Sequence, residues 1–168
     1  KAVAGVTEFA ADFCEGFYYG DAYSSTTGEP TGTYNYLVIL SDNGLADPDD
    51  YTSYNPNTTY YQLDLYSEIP AEEGEYAVIP NGTYQLDLED TYAANTISAQ
   101  SSKLIVTGAD AVNEDPQTVR FAEATVVVTD GKIVLTATLA NGDRHEVTFE
   151  GALEIPVYGY GEEYEAWT

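Results

Sequence analysis

Between residues 119 and 153 apolar and polar side chains alternate in three runs, 119–129, 132–140 and 144–153, separated by Asp130-Gly131 and Asn141-Gly142. Alternation of period two puts every second side chain on one face of a pleated strand. Asp-Gly between two such runs marks a two-residue hairpin turn with positive φ at both positions. Pairing across it sets Val128 against Ile133 and Val126 against Leu135, an unbroken apolar face. At the second turn a two-residue loop would set Leu139 against Arg144 and Leu135 against Thr148. That register mixes polar residues into the core face, and a one-residue slip turns every side chain over. The apolar face survives if Leu139 meets His145, Ala137 meets Val147 and Leu135 meets Phe149. A three-residue loop, Asn141-Gly142-Asp143, or an adjacent bulge is therefore expected.

The rest of the chain is equally poor in helical period. The best helical spacing is Val6, Phe9, Ala10 and Phe13, over a short stretch that predicts one helix. Strands are expected at 16–23, 33–41, 59–68, 75–79, 82–89 and 103–107, in runs of β-branched and aromatic residues. Long irregular segments fall at 42–57 and over most of 90–118. Roughly 8–10 short strands with Gly-, Asn- and Asp-rich turns predict an all-β protein, an antiparallel β-sandwich of two packed sheets, with a β-barrel as the alternative. The sandwich is preferred because the two long segments suit crossings between sheets. The length, 168 residues, fits one domain, with 154–168 as an aromatic C-terminal extension.

Charge excludes several functions. Five Lys and Arg against 29 Asp and Glu leave a net −24. Such a surface repels the phosphate backbone, so a nucleic-acid partner is excluded, and anionic membrane surfaces are disfavoured too. No run reaches the roughly 18–20 apolar residues of a transmembrane helix. Structural zinc needs several Cys or His, and the chain has one of each. High charge alone would suggest disorder, but the abundance of aromatic and β-branched residues argues for a folded chain. Cys14 stands alone and reads as a small buried hydrophobe. The sequence opens on Lys1 and holds no Met, as expected of a processed chain.

Candidate chemistry is sparse. A Ser-His-Asp arrangement would need His145, which the register turns toward the core, and no Gly-x-Ser-x-Gly elbow exists. A two-carboxylate hydrolase needs a marked acidic pair, and nothing marks one. Asp64, Asp87, Glu146 and Glu150 read as solvated charges on outer strand faces, and Glu72, Glu73 and Glu75 as a solvated turn. Asp42, Asp47, Asp49 and Asp50 offer oxygens to a hard cation without EF-hand spacing. An acidic loop without cofactor is the plainer reading, with calcium as the alternative. Tyrosine, at 16 residues, carries the functional hint. Tyr51, Tyr54, Tyr60 and Tyr61 cluster about the acidic loop, and Tyr158, Tyr160, Tyr164 and Trp167 crowd the C-terminus. Phenol rings stack on sugars and bury area at protein interfaces at low entropic cost. Trp167 is expected to anchor the tail on an apolar patch of its own domain or a neighbour's.

One resemblance follows from the order of these elements. Tyr18-Tyr19-Gly20 precedes TYNYLVILSD (33–42) and YQLDLYSE (61–68). Ile79, Pro80, Gly82 and Tyr84 come next, and the closing meander ends in VTFEG (147–151). Over about residues 16–153 this resembles small secreted or outer-membrane lipoproteins of gut Bacteroidetes, all-β proteins mostly of unknown function. The resemblance implies an exported protein, periplasmic or at the outer-membrane surface, lipid-anchored through a removed N-terminal segment. No catalytic residue is carried over. The leading expectation is a non-enzymatic cell-envelope binding module for a glycan or protein. A structural or accessory subunit of a surface assembly comes second, and a carboxylate-based hydrolase third.

Overall fold

A computed structural model of the chain describes residues 5–71, 76–151 and 155–156. The described residues contain no helix. The strands are β1 (Val6–Ala10), β2 (Phe13–Tyr23), β3 (Pro30–Ser41), β4 (Thr59–Ser67), β5 (Tyr76–Ala77) and β6 (Gly82–Asp87). They continue as β7 (Thr96–Ser98), β8 (Lys103–Val106), β9 (Gln117–Thr129), β10 (Lys132–Leu139), β11 (Arg144–Glu150) and β12 (Ile155–Pro156).

The main sheet runs β1-β11-β10-β9-β6-β7-β4-β3-β2. Strand β8 pairs with both β4 and β9, so β4, β8, β9, β6 and β7 close into a five-strand barrel. Two wings leave this barrel, β3 and β2 beyond β4, and β10, β11 and β1 beyond β9. Their inner faces meet in one core, with Val38, Leu40, Leu63 and Leu65 from one side and Val126, Leu135 and Val147 from the other. The protein is therefore all-β, with sandwich-like opposed wings and a closed barrel between them. Residues 11 and 12 tie the free edges of the wings together. Ala11 N donates to Thr148 O (2.8 Å) and Asp12 N to Ser41 O (3.0 Å).

The meander faces are as the alternation predicts. Ile133 pairs with Val128 and Leu135 with Val126, and Asp130 and Gly131 both take positive φ. Leu135, Val126, Val128, Ile133 and Val147 are buried, while Phe149 packs half-buried at the core's edge. The second hairpin keeps the predicted faces with a different register. Leu135 pairs with Val147, Ala137 with His145 and Ile133 with Phe149. The loop is Ala140-Asn141-Gly142, one residue earlier than expected. Gly142 N donates to Leu139 O (2.9 Å) and Leu139 N to Asp143 O (2.8 Å). A three-residue loop needs a left-handed third residue, and Gly142, at φ 93°, supplies it where Asp143 would be strained.

Two expectations are corrected. Residues 6–13 form β1 and the start of β2 rather than a helix. Strand β1 is parallel to β11, and Phe9 stacks edge-on against Tyr61 (5.1 Å), so pairing and packing override a weak helical period. The long segments are not crossings between sheets. Residues 42–58 join β3 to β4, an adjacent antiparallel pair, and the 90–118 segment is broken by β7, not expected from the sequence, and by β8, leaving residues 107–116 to join β8 to its antiparallel neighbour β9. The extra length at 42–57 packs Leu45 and Tyr54 over the outer face of β3 and β4. Of the C-terminal extension only Ile155 and Pro156 are described, as β12 paired with β5; Tyr158, Tyr160, Tyr164 and Trp167 lie outside the described residues, as does the Glu72–Glu75 turn.

Candidate functional site

Strand β4 is buried on both faces. Tyr61, Leu63 and Leu65 point into the main core. The outer row reads Tyr60, Gln62, Asp64, Tyr66, and its two ends are roofed. At one end residues 42–57 fold back, setting Leu45 and Tyr54 on Ile39, Tyr60 and Ile105 as a second small core. At the other end Tyr92 stacks on Tyr66 at 4.8 Å. Gln62 and Asp64 form the floor between, in a cleft of about 550 Å³. Tyr19, Tyr51, Thr52 and Tyr54 wall one side, with Asn35, Gln100, Ser101 and Lys103 also in the lining.

The roofing loop is a built structure. Tyr60 Oη donates to Gly44 O (2.6 Å) and accepts from Asn55 N (2.7 Å), so one buried phenol holds both ends. Asn55 Nδ2 donates to the carbonyls of Asn43 and Gly44, and the Glu15 carboxylate accepts from Leu45 N. Burial raises the Glu15 carboxyl and the Leu45 N–H lowers it. A compact loop with adjoining ends is an Ω-loop, a common carrier of binding residues.

At the floor, Asp64 is 7% exposed and Gln62 6%. Asp64 Oδ1 accepts from Asn35 Nδ2 (2.6 Å), and among the described residues Oδ2 has only the long contact from Tyr66 Oη (3.4 Å). Burial pushes the Asp64 carboxyl up to about 6. The Asn35 and Tyr66 hydrogen bonds oppose that rise, and the charge of Asp90 adds to it. Gln62 Nε2 donates to Ser101 O (2.7 Å), whereas Gln62 Oε1 has no donor among the described residues. Arg120 fixes the same turn from outside, donating to Ala99 O (3.2 Å) and Gln100 O. Burial raises the Tyr19 phenol to about 12, with smaller contributions from Tyr51 and Asp64.

Of the residues singled out from sequence, Tyr51 and Tyr54 line the cleft. Tyr51 is 38% exposed and rests edge-on against Phe17 at 6.0 Å. Tyr60 and Tyr61 present no ring to solvent: Tyr60 closes the loop, and Tyr61 Oη shares a 2.7 Å hydrogen bond with His145 Nδ1. His145 is half-buried, its imidazole lowered by burial against the opposing charge of Asp143, and its ring packs on Tyr61. Cys14 packs at the core's edge, where burial raises its thiol.

The acidic residues of the loop serve its own turns. Asp47 Oδ1 accepts from Asp49 N, Asp50 Oδ1 from Thr52 N and Oγ1, and Asp42 Oδ1 from Thr59 N. Among the described residues no three His, Cys, Asp or Glu side chains gather as a metal site. Asp64, read from sequence as a solvated charge, is buried at the bottom of the cleft between the two roofed ends, against Asn35 and Tyr66. Tyr19, Gln62 and Asn35 were not singled out either. Their signal was a polar pair flanked by tyrosines on one strand face beside a loop long enough to cover it.

Two other clefts, of about 470 and 310 Å³, have no buried carboxylate in their linings. No family model matches the chain, and no curated protein or solved structure does.

Proposed function

We propose that the protein is a non-enzymatic binding module that takes its ligand in the cleft over β4. The observation that carries this reading is the buried floor: among the described residues, the second oxygen of the Asp64 carboxylate has one long contact and the neighbouring Gln62 oxygen has no donor. Leaving such groups unsatisfied costs about 1–3 kcal/mol each. Polar groups kept at that cost in a cleft with aromatic walls are what a binding site retains for its ligand. The cleft volume lies within the roughly 300–1,000 Å³ of small-ligand sites. The pinned loop supports the same reading, because a rigid wall lowers the entropic cost of binding.

Asp64 is the one carboxylate among the described lining residues. That favours binding over hydrolysis by an acid pair. The acidic composition and the sequence resemblance favour the cell envelope as its setting. A fragment screen read by protein-observed NMR tests the site without presuming a ligand class. Hits should shift the side-chain amides of Gln62, Asn35 and Gln100 and the ring of Tyr51. Hits gathered on another face would refute the assignment.

A further inference from the structure

We infer that the cleft over β4 selects an uncharged, hydroxyl-rich ring, a neutral saccharide. This rests on the cleft being the binding site, and it follows from what the lining offers and lacks.

Charge removes two ligand classes. An anion would meet the Asp64 carboxylate and the field of a chain with net charge −24. A cation would find Asp64 but also the Lys103 ammonium in the same lining. With one charge of each sign at the cleft, a ligand of single charge meets a like charge whichever its sign, whereas an uncharged ligand meets none.

Hydrogen bonding narrows the class further. The floor is rich in acceptors: among the described residues Gln62 Oε1, which has almost no accessible surface of its own, has no donor, and Asp64 Oδ2 has one contact, at 3.4 Å. The Gln62 amide cannot turn its nitrogen to the cleft without losing the 2.7 Å bond to Ser101 O. The missing groups are therefore O–H or N–H donors on an uncharged molecule. Asn35 Nδ2 is committed to Asp64 and to Leu65 O (3.2 Å), which holds the carboxylate in place to receive such a donor.

Shape supplies the rest. Tyr19, 52% exposed, and Tyr51 present phenol rings at the cleft wall. A ring face packs well against the C–H face of a pyranose, whose hydroxyls project sideways toward amides and carboxylates. Tyr51 is braced from behind by Phe17, so its ring is held ready.

The test titrates the full chain with the methyl glycosides of glucose, galactose, mannose, xylose and N-acetylglucosamine. Glucosamine and glucuronate serve as charged counterparts. The readout is the NMR shift of the Gln62 side-chain amide and the Tyr51 ring. At least one neutral glycoside should move both signals, with the two charged sugars binding about tenfold more weakly. Tyr51→Ala and Gln62→Leu should each weaken the neutral sugar about tenfold, while Tyr23→Ala, an exposed ring outside the cleft lining, leaves it unchanged. If a charged sugar binds as tightly at the same residues, the cleft stands as a site and the neutral class is wrong. If no sugar moves these signals, or Gln62→Leu binds as the parent does, the inference fails. Fragment hits at the cleft would then show that the binding reading survives without it.

Discussion

Replacing Asp64 by Asn removes a carboxylate that the fold holds against its own preference. Burial raises its titration midpoint from 3.8 to about 6. The folded protein thus holds this proton more tightly than the unfolded chain does. Its contribution favours folding fully below about pH 4 and is lost as pH rises through about 6. At neutral pH and above, the ionised group costs about 3 kcal/mol. An asparagine oxygen still accepts the bond from Asn35, so most of that cost is relieved. Asp64→Asn is expected to gain about 2–3 kcal/mol at about pH 8 and about half that at about pH 5. Guanidinium denaturation of both proteins at the two pH values measures it. The remaining carboxylates titrate in both proteins and cancel in the difference. A variant no more stable than its parent at about pH 8, or a gain equal at both pH values, would refute the reasoning. The same substitution should weaken ligand binding, the trade expected where a site is kept at the expense of stability.

Other outcomes follow from the packing and the charge. A Cβ on Gly16 would lie 2.6 Å from Ile155 Cγ1 and 2.8 Å from Cδ1, so Gly16→Ala should cost about 1–3 kcal/mol by overpacking. Ile155→Val in the same chain should recover part of the loss, and a melting temperature equal to the parent's would show that Ile155 does not seat there. Added salt should raise the melting temperature at about pH 7, because screening relieves the self-repulsion of a chain at −24; a flat response speaks against it. Millimolar calcium and magnesium should shift the melting temperature alike, given that Asp42, Asp47 and Asp50 already accept from their own loop. A rise specific to calcium and lost in Asp50→Ala would reverse that assignment.

The meander was legible because its information is local. Asp130-Gly131 dictates one hairpin, and alternation decides the faces. The second register was misread by two positions, since parity constrains the face but not which same-face residue sits opposite. Gly142 held the missing information, as the one residue suited to a left-handed third position. Barrel closure was not legible. Pairing of β8 with β4 and of β6 with β9 joins the short strands β8 and β6 to partners forty or more residues away, and no periodicity encodes it. The cleft was half legible. Tyr51 and Tyr54 stand out by composition, but Asp64 and Gln62 become notable only when the 42–57 loop is known to fold back beside them and wall a cleft.

The pairing of β1 with β11 sets the order in which the chain can mature. Val6 finds its partner in Arg144 and Ala10 in Thr148, so β1 waits for more than 130 further residues before it can dock. Closing so long a loop costs entropy that local hairpins avoid, and sheets built on distant contacts fold slowly. The hairpins β2–β3 and β9–β10 can form early, whereas the seam at residues 11 and 12 can close only once β11 is in place. Until then β11 keeps an open edge, the kind of surface on which nascent chains join one another. A chain interrupted before residue 144 therefore leaves its N-terminal strand with nowhere to go.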